Sequence, residues 1–74
     1  MVVLTRSDPA RNLHRFYVVN LGPTLFGEWT LWREWGRIGS PGTVRTTSYE
    51  RQQEAQEAEQ HIIKLRLSHG YTIS

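Results

Sequence analysis

The feature that most constrains this chain is a run from Tyr49 to Ser68 with no Gly and no Pro. Within it Ala55, Ala58, Ile62 and Leu65 recur at spacings of three, four and three, which lays them along one stripe of an α-helix. Glu50, Glu54, Glu57 and Glu59 fill the first half, and Lys64 and Arg66 lie near the end, an order that complements the helix dipole. Thr47 or Ser48 is placed to cap the N-terminus, and Thr47 with Glu50 has the spacing of a capping box. Gly70 is placed to end the helix in a left-handed residue. The small Ala55 and Ala58 at the start of the stripe let such a helix lie close to a sheet.

The segments before it supply that sheet. Val2 to Arg6 reads as a first strand, Ser7 to Asn12 as a turn or loop, and Arg15 to Asn20 as a second strand that Gly22-Pro23 breaks. Glu28 to Ile38 reads as a third strand. Alternation puts Trp29, Leu31, Arg33, Trp35 and Arg37 on one face and Glu28, Thr30, Trp32, Glu34 and Ile38 on the other. Neither face is purely apolar, which predicts a strand buried at one end and open to solvent near Arg37. Gly39-Ser40-Pro41-Gly42 is a turn leading into a fourth strand, Thr43 to Thr47, and Tyr71 to Ile73 returns as a short strand or tail. The expected fold is α+β: a small antiparallel sheet with one long C-terminal helix on one face.

With 74 residues there is room for one domain, spanning 1–74, and little room for an insulated catalytic cleft. Hydrophobic residues at 38% and charged residues at 22% argue against disorder. The chain has no Cys, so disulfides, zinc knuckles and thiol nucleophiles are excluded and a reducing, cytoplasmic setting is expected. No apolar run approaches the ~20 residues of a membrane span, and polar Thr5 to Asp8 cut short any signal-peptide core.

No catalytic constellation emerges. His14, His61 and His69 lack metal-ligand spacing, and the Glu57/His61 pair reads as a solvated helix contact. No nucleophile elbow and no phosphate-cradling Gly loop are present. The expectation is a binding module that uses no metal and no cofactor.

The remaining chemistry is a cluster of arginines around an aromatic residue. Eight of the nine basic residues are Arg, and the basic excess lies before residue 50. Arg33, Trp35 and Arg37 share a strand face, with Arg45 across the expected hairpin. Indole faces stack on bases and sugars, Arg grips phosphate, and Gly36 offers a close approach. A Trp in a strand serves a core more often than a ligand, so on residues alone both readings stay open.

The string Trp29-Thr30-Leu31-Trp32-Arg33-Glu34-Trp35-Gly36-Arg37-Ile38-Gly39 resembles the signature of the WGR domain family. Arg15-Phe16-Tyr17 upstream, Gly42-Thr43-Val44 after the turn, Ala55 and Ala58 in the helix and the closing Gly70-Tyr71 agree with the family layout, so the likeness runs from about Asn12 to Tyr71. WGR domains occur in poly(ADP-ribose) polymerases and in bacterial proteins, some short and stand-alone. In the polymerases the domain contacts DNA near a strand break, with the motif Trp and Arg on sugar and phosphate. The resemblance implies an antiparallel sheet with a helix, Trp35 as the stacking group, Arg37 as the polar clamp and Gly36 as the point of close approach. It implies no polymerase activity, because no catalytic domain accompanies it. Lysines common in the family before the closing Gly-Tyr are replaced here by Arg66-Leu67-Ser68-His69, which thins the charge there.

Two readings follow. The first is a module that binds DNA ends, nicks or single strands without sequence preference, through Trp35, Gly36, Arg37, Arg33 and Arg45. The second is a protein-interaction or dimerisation module, with the motif serving the core and with Ile63 and Leu67, which fall off the helix stripe, forming the partner surface.

Overall fold

The computed structural model describes all residues, 1–74. Strands β1 (Val2–Asp8), β2 (Leu13–Pro23), β3 (Trp29–Arg37) and β4 (Thr43–Tyr49) precede helix α1 (Gln52–Ser68) and a two-residue strand β5 (Thr72–Ile73). All pairings are antiparallel, in the order β4-β3-β2-β1-β5, with the helix against one face. The α+β architecture expected from the sequence is the one observed.

Register decides which side chains the helix covers. Leu4 pairs with Tyr17, Tyr17 with Trp35, Val2 with Val19 and Leu21 with Leu31, so these residues share a face. On that face Leu4, Tyr17, Val19 and Leu31 are fully buried, and Ala55 of α1 and Tyr71 join them as the core. The third strand has the two faces expected from its alternation, and it runs from buried Leu31 to exposed Arg37.

Several boundaries differ from the sequence expectation. β2 does not break at Gly22-Pro23 but continues through it, Gly22 facing Thr30 and Pro23 facing Trp29. β1 begins only opposite Val19, so the end of β2 has one neighbour, and there a missing N–H disrupts no ladder. The first hairpin is tighter than a loop over residues 7–12: Ser7 and Asp8 still pair with His14 and Leu13, and a 3-10 turn, Pro9–Arg11, closes it through left-handed Asn12 at φ 53°.

The helix starts at Gln52 rather than Tyr49, and no capping box forms. Thr47 pairs with Leu31 and Tyr49 with Trp29, so both belong to β4. The N-cap is Arg51, extended and without a side-chain bond. Sheet pairing and the packing of Tyr49 against the core outweigh the local capping preference.

The helix stripe is also rotated. Ala55, Ala58 and Ile62 pack on the core as expected, but Leu65 is 40% exposed and Arg66 takes its place. At 3.6 residues per turn Leu65 stands about 80° from Ala55 around the axis and Arg66 only about 20°. The Arg66 guanidinium carbon sits 4.5 Å from the Tyr17 ring centre, a cation–π contact that lets a charged side chain close the core. Ile63, expected at a partner surface, is half-buried and packs against the core, so of that pair only Leu67 is open.

Gly70 ends the helix as expected, at φ +90°. Its N–H bonds to the Leu67 carbonyl at 3.2 Å, and the Tyr71 N–H to the Arg66 carbonyl at 3.2 Å, the double bond of a Schellman motif. That turn drops Tyr71 edge-on to Tyr17 and lets β5 pair with β1.

Candidate nucleic-acid interface

Beyond the end of the helix the covered face of the sheet opens, and the motif strand runs into that opening. Trp35 lies nearly parallel to its cross-strand partner Tyr17, ring centres 5.7 Å apart at 13°, so the indole is braced by a fully buried ring. Trp35 is only half-buried and reaches the wall of a cavity of about 370 Å³. Leu13 and Tyr71 add apolar wall, and Arg11, Asn12, Arg15, Gly36 and Arg37 add polar wall.

The cationic side chains are aligned by register. Arg6 faces Arg15, and Arg15 faces Arg37, a row across β1, β2 and β3 on the helix side. Like charges directly opposite one another destabilise a sheet. No carboxylate relieves this row, because the one ion pair within 4.0 Å in the protein joins Asp8 to Arg11 at 3.6 Å. Arg6 lies against the end of the helix instead, its Nε 3.3 Å from where a Gly70 Cβ would stand, near the negative end of the helix dipole. Arg11, Arg15 and Arg37 are left around the cavity, and an anion bound there would offset their repulsion.

Arg37 is held in place. Its two terminal nitrogens donate to the Asn12 backbone carbonyl at 3.0 Å and to the Asn12 side-chain oxygen at 3.2 Å. Five N–H donors on a guanidinium leave three for a ligand.

Of the five residues singled out in the sequence, Trp35, Gly36 and Arg37 line the cavity. Arg33 does not line it but packs on the motif Trp, its guanidinium carbon 5.8 Å from the Trp35 ring centre. Arg45 lies opposite Arg33 as expected, on the same face but away from the cavity lining. Gly36 contributes backbone only. A Cβ there would stand 3.2 Å from Gly42 Cα and 3.5 Å from Phe16 Cε1, so the close approach it permits is that of the chain's own 41–42 turn. Sequence reasoning missed Arg11, Asn12, Leu13, Arg15 and Tyr71. Arg15 had a readable signal, since closing a hairpin over residues 24–28 brings it opposite Arg37.

An uncharacterized protein, y4dW, of Sinorhizobium fredii (strain NBRC 101917 / NGR234) is 33% identical over 66 residues, which cover 89% of this chain and 32% of that protein. The chain thus spans about a third of that relative's length. The family model of the WGR domain matches residues 1–74, and the chain belongs to the WGR domain family.

Proposed function

We propose that this protein is a non-enzymatic nucleic-acid-binding module that grips the sugar-phosphate backbone of DNA at ends, nicks or single strands, without reading sequence. The observation that carries this reading is the cavity in which an aromatic wall, Trp35, stands among Arg11, Arg15 and Arg37 with no carboxylate paired to Arg15 or Arg37. WGR domains are known in nucleic-acid-binding contexts, which supports the same conclusion. In this reading Trp35 packs on a sugar or base at the end of a strand, Arg37 donates to phosphate, and Arg11 and Arg15 hold the neighbouring charge. Arg33 and Arg45 extend the positive surface along the sheet. The helix stays out of the groove, because its exposed side carries Glu54 and Glu57, which repel phosphate. We assign the module to a bacterial cytoplasm, consistent with a chain that has no Cys and no helix long and apolar enough to cross a membrane.

The test is a titration of labelled blunt, nicked and single-stranded DNA at two salt concentrations, with Trp35→Ala and Arg37→Ala beside the parent protein. Binding that weakens with salt and drops with Arg37→Ala supports the reading. A folded Arg37→Ala protein that binds all three DNAs unchanged overturns it.

A further inference from the structure

At the far end of the β2–β3 hairpin two large apolar side chains stand in open solvent: Leu25 is 99% exposed and Phe26 88%. Isolated exposed apolar residues are ordinary, but an adjacent pair at a protruding turn is not, since such positions favour Gly, Pro, Asn and Asp. The turn is also rigid. Thr24 N–H donates to the Glu28 carbonyl at 2.8 Å, and Thr24 Oγ1 accepts from the Phe26 N–H at 3.2 Å and the Glu28 N–H at 3.1 Å. Gly27 supplies the left-handed residue at φ +82°. The backbone is therefore built to hold up two side chains that contribute nothing to this molecule's core.

The molecule has two cavities: one of about 300 Å³ on the helix, lined by His61, Lys64, Leu65 and Ser68 with no Trp, Tyr or Phe to stack on Phe26, and the Trp35 cavity of about 370 Å³, walled by Trp35 and Tyr71, which lies at the opposite end from the tip. Leu13 and Arg15, which line the Trp35 cavity, begin β2, whereas the tip follows its last residue, Pro23. At about 3.3 Å per residue the two ends of β2 are about 30 Å apart, so a chain cannot fill its own cavity. The particle is 46 Å along its longest axis, which keeps the two features at separate poles.

The poles are complementary in charge. Glu28 adjoins the tip, and Glu50 follows Tyr49, which faces Trp29 across the sheet. The acidic first half of α1 starts from the same end, with Arg51 as the nearby cation. The cavity offers Arg11, Arg15 and Arg37 around Trp35, Leu13 and Tyr71. An acidic, aromatic tip and an arginine-rimmed, aromatic-walled socket of about 370 Å³ fit one another in shape class and in sign. An acidic setting disfavours nucleic acid or anionic lipid as the tip's partner.

We infer that the Leu25-Phe26 tip of one copy docks in the Trp35 cavity of a second copy, with Phe26 against the indole and Glu28 toward the arginines. The contact is head-to-tail, so copies join in chains or rings rather than symmetric dimers. It uses the cavity assigned above to DNA, which makes self-association and DNA binding mutually exclusive at each cavity. It does not depend on the nucleic-acid reading and stands or falls separately from it.

Sedimentation velocity of the purified protein over micromolar to millimolar concentration tests this directly. The parent protein is expected to associate as concentration rises. The double variant Leu25→Ser/Phe26→Ser, which alters only solvent-exposed side chains, should stay folded and monomeric, and loss of one such anchor corresponds to about a thirtyfold drop in association constant. Arg37→Glu, which spoils the socket but keeps the tip, should also be monomeric. Mixed together, the two variants should form a one-to-one dimer and nothing larger, since one tip and one socket remain. At concentrations where the parent is monomeric, the tip variant should bind DNA as the parent does. A parent protein that is monomeric at millimolar concentration, a tip variant that associates like the parent, or a mixture that fails to pair overturns the inference, whatever the DNA titration gives.

Discussion

The Arg37 guanidinium is bonded twice to one residue, Asn12, through its backbone carbonyl at 3.0 Å and its side-chain oxygen at 3.2 Å. Asn12 sits 25 positions earlier, at the end of the 3-10 turn, in the left-handed conformation that Asn tolerates better than most residues. The cation that gives the motif its chemistry is thus aimed by the first hairpin of the sheet. The turn holds Asn12, Asn12 holds Arg37, and Arg37 faces the cavity.

This relationship separates stability from binding. Asn12→Ala should lose about 1 kcal/mol from the left-handed backbone, seen as a fall of about 4–8 °C in Tm for a domain of this size. Asn12→Gly should leave Tm close to that of the parent, because Gly adopts that conformation freely. Both remove the side-chain acceptor, so both should weaken DNA binding severalfold. Unchanged affinity in Asn12→Gly would show that Arg37 needs no brace.

The number of arginines at the cavity sets the salt dependence. If Arg11, Arg15 and Arg37 each neutralise one phosphate of a duplex, the plot of log K against log salt has a slope of about −2.7, at about −0.9 per contact. Arg15→Gln should reduce the slope by about 0.9. Fluorescence anisotropy at several salt concentrations measures both, and an unaltered slope would remove Arg15 from the interface.

Tyr17 gives a test of the core. Its hydroxyl is buried without a hydrogen-bond partner, while its ring meets Trp35, Tyr71 and Arg66. Tyr17→Phe should therefore be neutral or slightly stabilising, because it removes an unsatisfied polar group. Tyr17→Ala should cost about 3–5 kcal/mol, as for a large aromatic lost from a packed core. Urea unfolding distinguishes the two, and a Tyr17→Phe loss above about 1 kcal/mol would mean that the hydroxyl is bonded in solution.

Two glycines should respond oppositely to Ala. A Cβ on Gly42 would stand 2.9 Å from both Phe16 Cζ and Glu34 Cγ and 3.0 Å from the Trp35 carbonyl oxygen, so Gly42→Ala should destabilise by about 1–3 kcal/mol. A Cβ on Gly22 meets nothing within 4 Å, and Gly22→Ala should be neutral or stabilise by up to about 1 kcal/mol. Thermal unfolding of the pair measures how tightly the 39–42 turn is bound to the open face of the sheet.

The elements that can be read from this sequence are those whose evidence is local. Alternation in Trp29 to Arg37 assigns its two faces, and a long run without Gly or Pro assigns the helix. What could not be read depends on partners distant in the chain. Thr47 has the chemistry of a helix cap but pairs with Leu31, and Leu65 loses its place on the core to Arg66 because the axis rotates to meet Tyr17. Within the site, Trp35 and Arg37 stand out as residue types in a motif. Asn12 and Arg15 look like ordinary loop and strand residues until two hairpins close and bring them to the same wall.

The last strand lies beside the first, Ile73 opposite Leu4, and the Ser74 N–H bonds to the Val3 carbonyl at 2.8 Å. The ends of the fold are therefore neighbours: Ser74 stands one strand spacing from Val3, and two residues of about 3.3 Å further along the strand put Met1 about 8 Å away. A polypeptide passing through this domain enters and leaves at the same corner. A surface loop of a larger protein would need to part by little more than that distance to carry the domain as an insertion, with the arginine row and the hairpin tip both still facing outward.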